Sequence, residues 1–128
     1  MIQFLSLKIK NNMLHFELSE FDSPDEKGSG KYMYDPFLQM LDDARSMAGI
    51  SFKINSGFRT KIHNESCGGK INSSHLFGYA ADIHCNNSSE REKILNALIK
   101  SGFKRIGIAN TFIHCDNDPE KNPAVWLY

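Results

Sequence analysis

Between Asp35 and Gly49 the apolar positions Phe37, Leu38, Leu41, Ala44 and Ala48 recur at helical spacing, with Met40 or Met47 beside them, so the sequence predicts a helix with one buried face. Asp35 is the expected N-cap, Pro36 fits the first helical position, where a missing N–H costs nothing, and Gly49 is the stop. A second helix is expected from Ser89, which forms a capping box with Glu92; Ile94, Leu95, Leu98 and Ile99 supply its buried stripe and Gly102 ends it. Residues 51–55 and 79–85 alternate or run apolar as strands do, and residues 103–108 and 111–115 flank Ala109-Asn110 as a hairpin. Residues 4–9 and 13–18, apolar and separated by Lys10-Asn11-Asn12, suit a small hairpin or an edge segment. Residues 19–30, rich in Asp, Ser, Pro and Gly, read as an ordered loop anchored by Phe21, and residues 60–72, with Gly68-Gly69, read as another loop.

Length and composition narrow the class. A chain of 128 residues with 41% hydrophobic content suits one domain over residues 1–128, with a core that needs no staples. Its three cysteines, Cys67, Cys85 and Cys115, form no CxxC pair, which argues for reduced thiols rather than a disulfide framework or a zinc ribbon. Basic and acidic residues balance at 15 each without a basic run, so neither nucleic acid nor an anionic membrane is the expected partner. A compact specific site on a monomer is expected instead. The N-terminal apolar run stops at Lys8 and lacks a charged n-region, which predicts no signal peptide and a protein that is cytoplasmic at synthesis.

The chemistry concentrates in two stretches. Ser73-Ser74-His75-Leu76-Phe77-Gly78-Tyr79-Ala80-Ala81-Asp82 sets an imidazole and a carboxylate around Gly78, which can supply a bend that neither a straight strand nor a helix would provide. Phe112-Ile113-His114-Cys115-Asp116 places His114 and Asp116 on one face of a strand and turns Ile113 and Cys115 away. If the two strands are neighbours, His75, Asp82 and His114 converge as two imidazoles and one carboxylate, leaving a fourth position of a zinc site open for chemistry. Arg59, beyond a strand end in Ser56-Gly57-Phe58-Arg59, could be held over the same cleft. His84 lies on the Asp82 face as a spectator, His63 is a surface residue, and Trp126 is expected in the core, with lining of the cleft as the other option for it and for Tyr128.

Ser73, His75, Gly78, Ala80 and Asp82 form an SxHxxGxAxD pattern. With Ser56-Gly57-Phe58-Arg59 upstream and His114 downstream, it resembles the zinc D-Ala-D-Ala carboxypeptidase family, peptidase family M15. The similarity runs over roughly residues 15–128 and is to the small single-domain branch of bacterial and bacteriophage cell-wall enzymes. It implies an α+β hedgehog/DD-peptidase-like fold, a central antiparallel sheet with packed helices, and hydrolysis of peptidoglycan stem peptides. Carried over, it makes His75, Asp82 and His114 the ligands of Zn2+, Arg59 a catalytic and substrate-binding group, and Ser73 a residue that braces the motif and contacts substrate. The Glu-x-x-Trp-His or His-x-His pattern that many relatives carry at the last ligand is missing: Phe112 stands two before His114, and no such glutamate precedes it. Asp116 is then the candidate general base, its other role being to orient His114. The alternative function is a metal-retaining, non-catalytic module that binds cell wall or protein. Action on the wall without a signal peptide implies phage-type release.

Overall fold

The computed structural model describes residues 13–128. The expected strand over residues 4–9 lies outside them. Residues 13–17 form no strand; Leu14 N and His15 N instead donate to the buried Asp42 carboxylate at 2.9 and 3.0 Å, which ties this segment to the first long helix.

Helices α1 (Asp35–Ala48) and α3 (Ser88–Ser101) pack on each other, with the short α2 (Lys61–Ser66) between them in sequence. Strands β1 (Ile54–Ser56), β2 (Ala80–His84), β3 (Arg105–Ile108), β4 (Phe112–Asp116) and β5 (Ala124–Leu127) form one sheet in the order β1-β2-β4-β3-β5. The pairings β1–β2, β2–β4 and β4–β3 are antiparallel, as expected, and β5 adds in parallel to β3. The predicted α+β class holds.

Period two divides the sheet's work. Ala81, Ile83, Ile106, Ile113 and Cys115 join Phe37, Leu38, Leu41, Ile94 and Leu98 of the two long helices in one core. The opposite face of the same strands carries Asp82, His114 and Asp116. Burial on one side thus fixes the register that aligns the polar groups on the other, because a one-residue slip would exchange the two faces. In the antiparallel register Asp82 stands opposite His114, and Gly107 stands opposite His114 from the other side.

Several local details differ from the sequence reading. Tyr34 rather than Asp35 occupies the α1 N-cap, so Asp35 is helical, and Met47 is exposed at 54%. The α3 cap is Asn87, two residues before the expected Ser89; its Oδ1 accepts from Glu90 N at 2.8 Å, one of the free N–H groups of the first turn. Ile99, expected in the stripe, is 55% exposed, and Ala97 takes the buried place. The loop of residues 60–72 contains α2, capped by Thr60, whose Oγ1 accepts from His63 N at 3.1 Å. Phe21 anchors the 19–30 segment as expected, fully buried within a 3-10 turn, and packs edge-on against Phe16.

Gly78 supplies the required bend. It has φ +75 at the end of the 3-10 turn Ser74–Phe77, and a Cβ there would meet the Tyr32 carbonyl oxygen and lie 2.9 Å from Met33 Cα. Gly78→Ala therefore combines left-handed strain with a backbone clash and is expected to cost about 2–4 kcal/mol. Gly49→Ala, at φ +68 in open space, should cost only about 1–2 kcal/mol. Urea denaturation of both variants checks the ranking, and equal midpoints would contradict it.

Candidate metal centre

His75 sits in the 3-10 turn that Ser73 caps, the Ser73 Oγ accepting from His75 N at 3.3 Å. The turn aims the imidazole inward: His75 is 3% exposed, and its Nδ1 lies 2.8 Å from Gly57 O. A carbonyl only accepts, so Nδ1 carries the proton and Nε2 is left as a donor atom. Gly57 is required here for a second reason, since a Cβ would lie 2.7 Å from Phe21 Cα.

His114 is oriented in the opposite sense. Its Nε2 lies 2.7 Å from Asp116 Oδ2, and its Nδ1 faces Asp82 Oδ1 at 2.9 Å. The His75 Nε2 approaches the same Asp82 oxygen at 3.3 Å. The His75 and His114 rings are 5.2 Å apart, edge to face. One donor atom from each of His75, Asp82 and His114 lies within 4.8 Å of the others, and all three residues are buried. Donors about 2.0–2.1 Å from a tetrahedral zinc are about 3.3 Å apart, so the His75 contact to Asp82 at 3.3 Å matches the required spacing and the His114 contact at 2.9 Å is somewhat shorter. The donor set and its outer contacts, a carbonyl behind one imidazole and a carboxylate behind the other, fit a divalent cation such as zinc.

Charge is arranged to match. Burial pushes the Asp82 carboxyl up, but its close contacts with the His114 and His75 imidazoles outweigh it, and the group stays far below the usual carboxylate range. Burial pulls His114 down, yet its bonds to Asp116 and Asp82 hold its pKa above the ordinary value. For His75 burial dominates and favours the neutral imidazole, the form that donates a lone pair to a metal. Burial also works against ionisation of Asp116, and the hydrogen bond and charge of His114 override it.

The other expected residues take definite places. Arg59 lies beside the cluster, Nη2 donating to Asp82 Oδ2 at 3.3 Å, Nε to Ser56 Oγ at 2.9 Å and Nη1 to Asn64 Oδ1 at 3.2 Å. Ser73 lines the cleft as well as capping the turn. Asp116 is only 1% exposed; Oδ1 accepts from Arg105 Nε at 2.8 Å and from Asp118 N at 3.2 Å, and Oδ2 faces His114. Asp118 is also committed, accepting from Ser74 Oγ at 2.7 Å. His84 is exposed at the end of β2, outside the cleft lining. Trp126 is not a core residue: it lines the cleft with Tyr128, its ring 5.4 Å from His114 and stacked under Arg105 at 5.0 Å.

Sequence reasoning missed Arg105, Asn64 and the role of Gly107. Alternation on β3 signals Arg105 and Gly107, because both stand opposite the buried Ile106 and pair with Asp116 and His114. A Cβ on Gly107 would lie 2.6 Å from Trp126 Nε1 and 2.8 Å from Tyr128 Cε2, so the missing side chain is what lets the aromatic wall lie across the sheet toward His114.

The whole arrangement is a cleft of about 450 Å³ with the histidine–carboxylate cluster in its lining. No helix among the described residues is long and apolar enough to cross a membrane. No curated protein matches the chain. The family model described as Peptidase M15 matches residues 14–116. That span covers most of the chain and takes in all three clustered side chains, and the protein belongs to the peptidase M15 family of metallopeptidases.

Proposed function

We propose that this protein is a zinc-dependent peptidase that hydrolyses peptidoglycan stem-peptide bonds, as a D-Ala-D-Ala carboxypeptidase or as an endopeptidase. The observation that carries the reading is the convergence of His75 Nε2, Asp82 Oδ1 and His114 Nδ1 in the lining of a cleft. Three protein donors with one position left open are the pattern of a catalytic zinc site, whereas structural sites close all four. Zinc, when bound there, supplies Lewis-acid polarisation of a peptide carbonyl and makes water acidic enough to act as a nucleophile at neutral pH.

The chain's own residues do the rest. Gly57 O and Asp116 hold the two imidazoles in the tautomers that present Nε2 of His75 and Nδ1 of His114. Arg59 is fixed on three side chains at the edge of the cluster, where its guanidinium can stabilise a developing oxyanion or hold a substrate carboxylate. Ser73 keeps the His75 turn in place and offers its hydroxyl to the cleft. For Asp116 the geometry supports the orienting role over proton abstraction, since both oxygens are engaged by Arg105, Asp118 N and His114.

One observation favours the alternative, a metal-retaining module that binds cell wall or protein without cleaving it. Asp82 and Asp116, the carboxylates of the cleft, are both already paired. Incubation of the zinc-loaded protein with purified peptidoglycan separates the two. Mass spectrometry should find released D-alanine or cleaved stem peptides, and none after chelation. Cosedimentation with peptidoglycan and no released product would establish the binding module in place of the enzyme.

A further inference from the structure

The cleft is electrically lopsided although the chain is balanced at 15 basic and 15 acidic residues. Its charged lining holds two carboxylates, Asp82 and Asp116, and four cations, Arg59, Lys70, Arg105 and Lys121. Three of those cations are neutralised within the protein. Arg59 lies 3.3 Å from Asp82, Arg105 lies 2.8 Å from Asp116, and Lys121 lies 3.6 Å from Asp118. Lys70 is different: among the described residues its ammonium has no ion pair or hydrogen bond.

An exposed lysine is ordinarily a solvated one. Here the backbone beneath it is fixed to the site. Lys70 O accepts from Asn64 Nδ2 at 2.9 Å and from Ser73 N at 3.0 Å, and the same Asn64 receives Arg59 Nη1. The residue that positions Arg59 beside Asp82 therefore also positions the Lys70 main chain. The cleft also carries the Trp126 and Tyr128 rings, which offer apolar contact rather than charge.

We propose that Lys70 is a specificity-determining residue that selects peptides bearing a carboxylate, the anionic group lying toward Lys70 and the carbon skeleton against Trp126. An unbalanced positive charge at the mouth of a partly enclosed cleft attracts ligands of the opposite sign and loses that advantage as salt rises. A flexible, water-facing ammonium contributes a modest factor, about fivefold in affinity for a paired carboxylate. The catalytic consequence rests on the peptidase reading above; the binding preference does not.

Trp126 is the chain's one tryptophan and lines the cleft, so its fluorescence reports occupancy without turnover. The probes are an N-acetylated stem pentapeptide with free carboxylates and the same peptide fully amidated, titrated into metal-free and zinc-loaded protein. The free acid should bind about fivefold more tightly at low salt, with the gap closing at high salt. Lys70→Ala should remove most of the preference, Lys70→Arg should restore it, and Lys93→Ala, on an exposed position of α3, should leave it intact. In hydrolysis assays Lys70→Ala should raise KM for the acid peptide and leave kcat unchanged. Equal affinity for the two peptides in the unmodified protein, or an undiminished preference in Lys70→Ala, would overturn the proposal. Hydrolysis without charge preference removes Lys70 alone, while preferential binding without hydrolysis removes the peptidase reading and keeps Lys70.

Discussion

Replacing His75 with alanine is expected to weaken zinc binding by two orders of magnitude or more and to abolish peptidoglycan hydrolysis. Protein zinc sites with four ligands bind with about 10–16 kcal/mol, or about 3 kcal/mol per ligand, which is a factor of about 100 for each one removed. His75 is also the ligand with the least freedom to be replaced by water without loss, because its buried ring is clamped between Gly57 O and Asp82. The metal-free protein should lose about 1–3 kcal/mol as well, from the cavity and the unpaired Gly57 carbonyl. His84→Ala is the control: the residue is exposed on the same strand as Asp82 and should change neither metal content nor activity. Metal analysis after dialysis reads the effect directly, and a His75→Ala protein that retains one zinc per chain would remove His75 from the ligand set.

The second large effect is expected at Asp116. Asp116→Ala strips a partner from Arg105, whose side chain is 17% exposed, and from His114, whose side chain is 9% exposed. Breaking a buried pair by removing one member costs about 3–5 kcal/mol, and the partial exposure of Arg105 places this case near the lower end. Zinc affinity should fall about 10- to 100-fold, as it does when the group behind a ligating histidine is lost. The change in zinc affinity separates the roles of Asp116. An orienting carboxylate takes metal affinity with it, whereas a proton acceptor would leave metal affinity in place and remove only turnover; the stability lost with the Arg105 pair follows in either case. Calorimetric zinc titration of Asp116→Ala decides between the roles, and urea denaturation checks the cost of the broken pair.

How far the sequence carries the site follows from what each residue depends on. His75, Gly78 and Asp82 were legible because a bend demands glycine and the spacing excludes both regular alternatives; the observed φ of +75 at Gly78 is that bend. The shared face of His114 and Asp116 followed from strand alternation, and the antiparallel register with β2 then set His114 opposite Asp82. Helix α2 was hidden because Gly68-Gly69 and the polar composition of residues 60–72 read as loop, while the Thr60 cap is a weak signal by itself. Strand β5 was hidden for a different reason. Its four residues pair in parallel with β3, a contact that no local pattern announces, and the wall formed by Trp126 depends on the bare Gly107 on the neighbouring strand. The dual role open to Asp116 could be narrowed only by seeing Arg105, Asp118 N and His114 around it.

The central claim is that His75, Asp82 and His114 hold one metal ion that drives peptide hydrolysis. Titrating zinc into chelator-stripped protein, with product release from purified peptidoglycan followed at each addition, tests it most directly. Activity should rise linearly and level off at one zinc per chain, and Asp82→Ala protein should stay inactive throughout. Full hydrolysis by the stripped protein, or equal restoration of the Asp82→Ala protein, would contradict the claim.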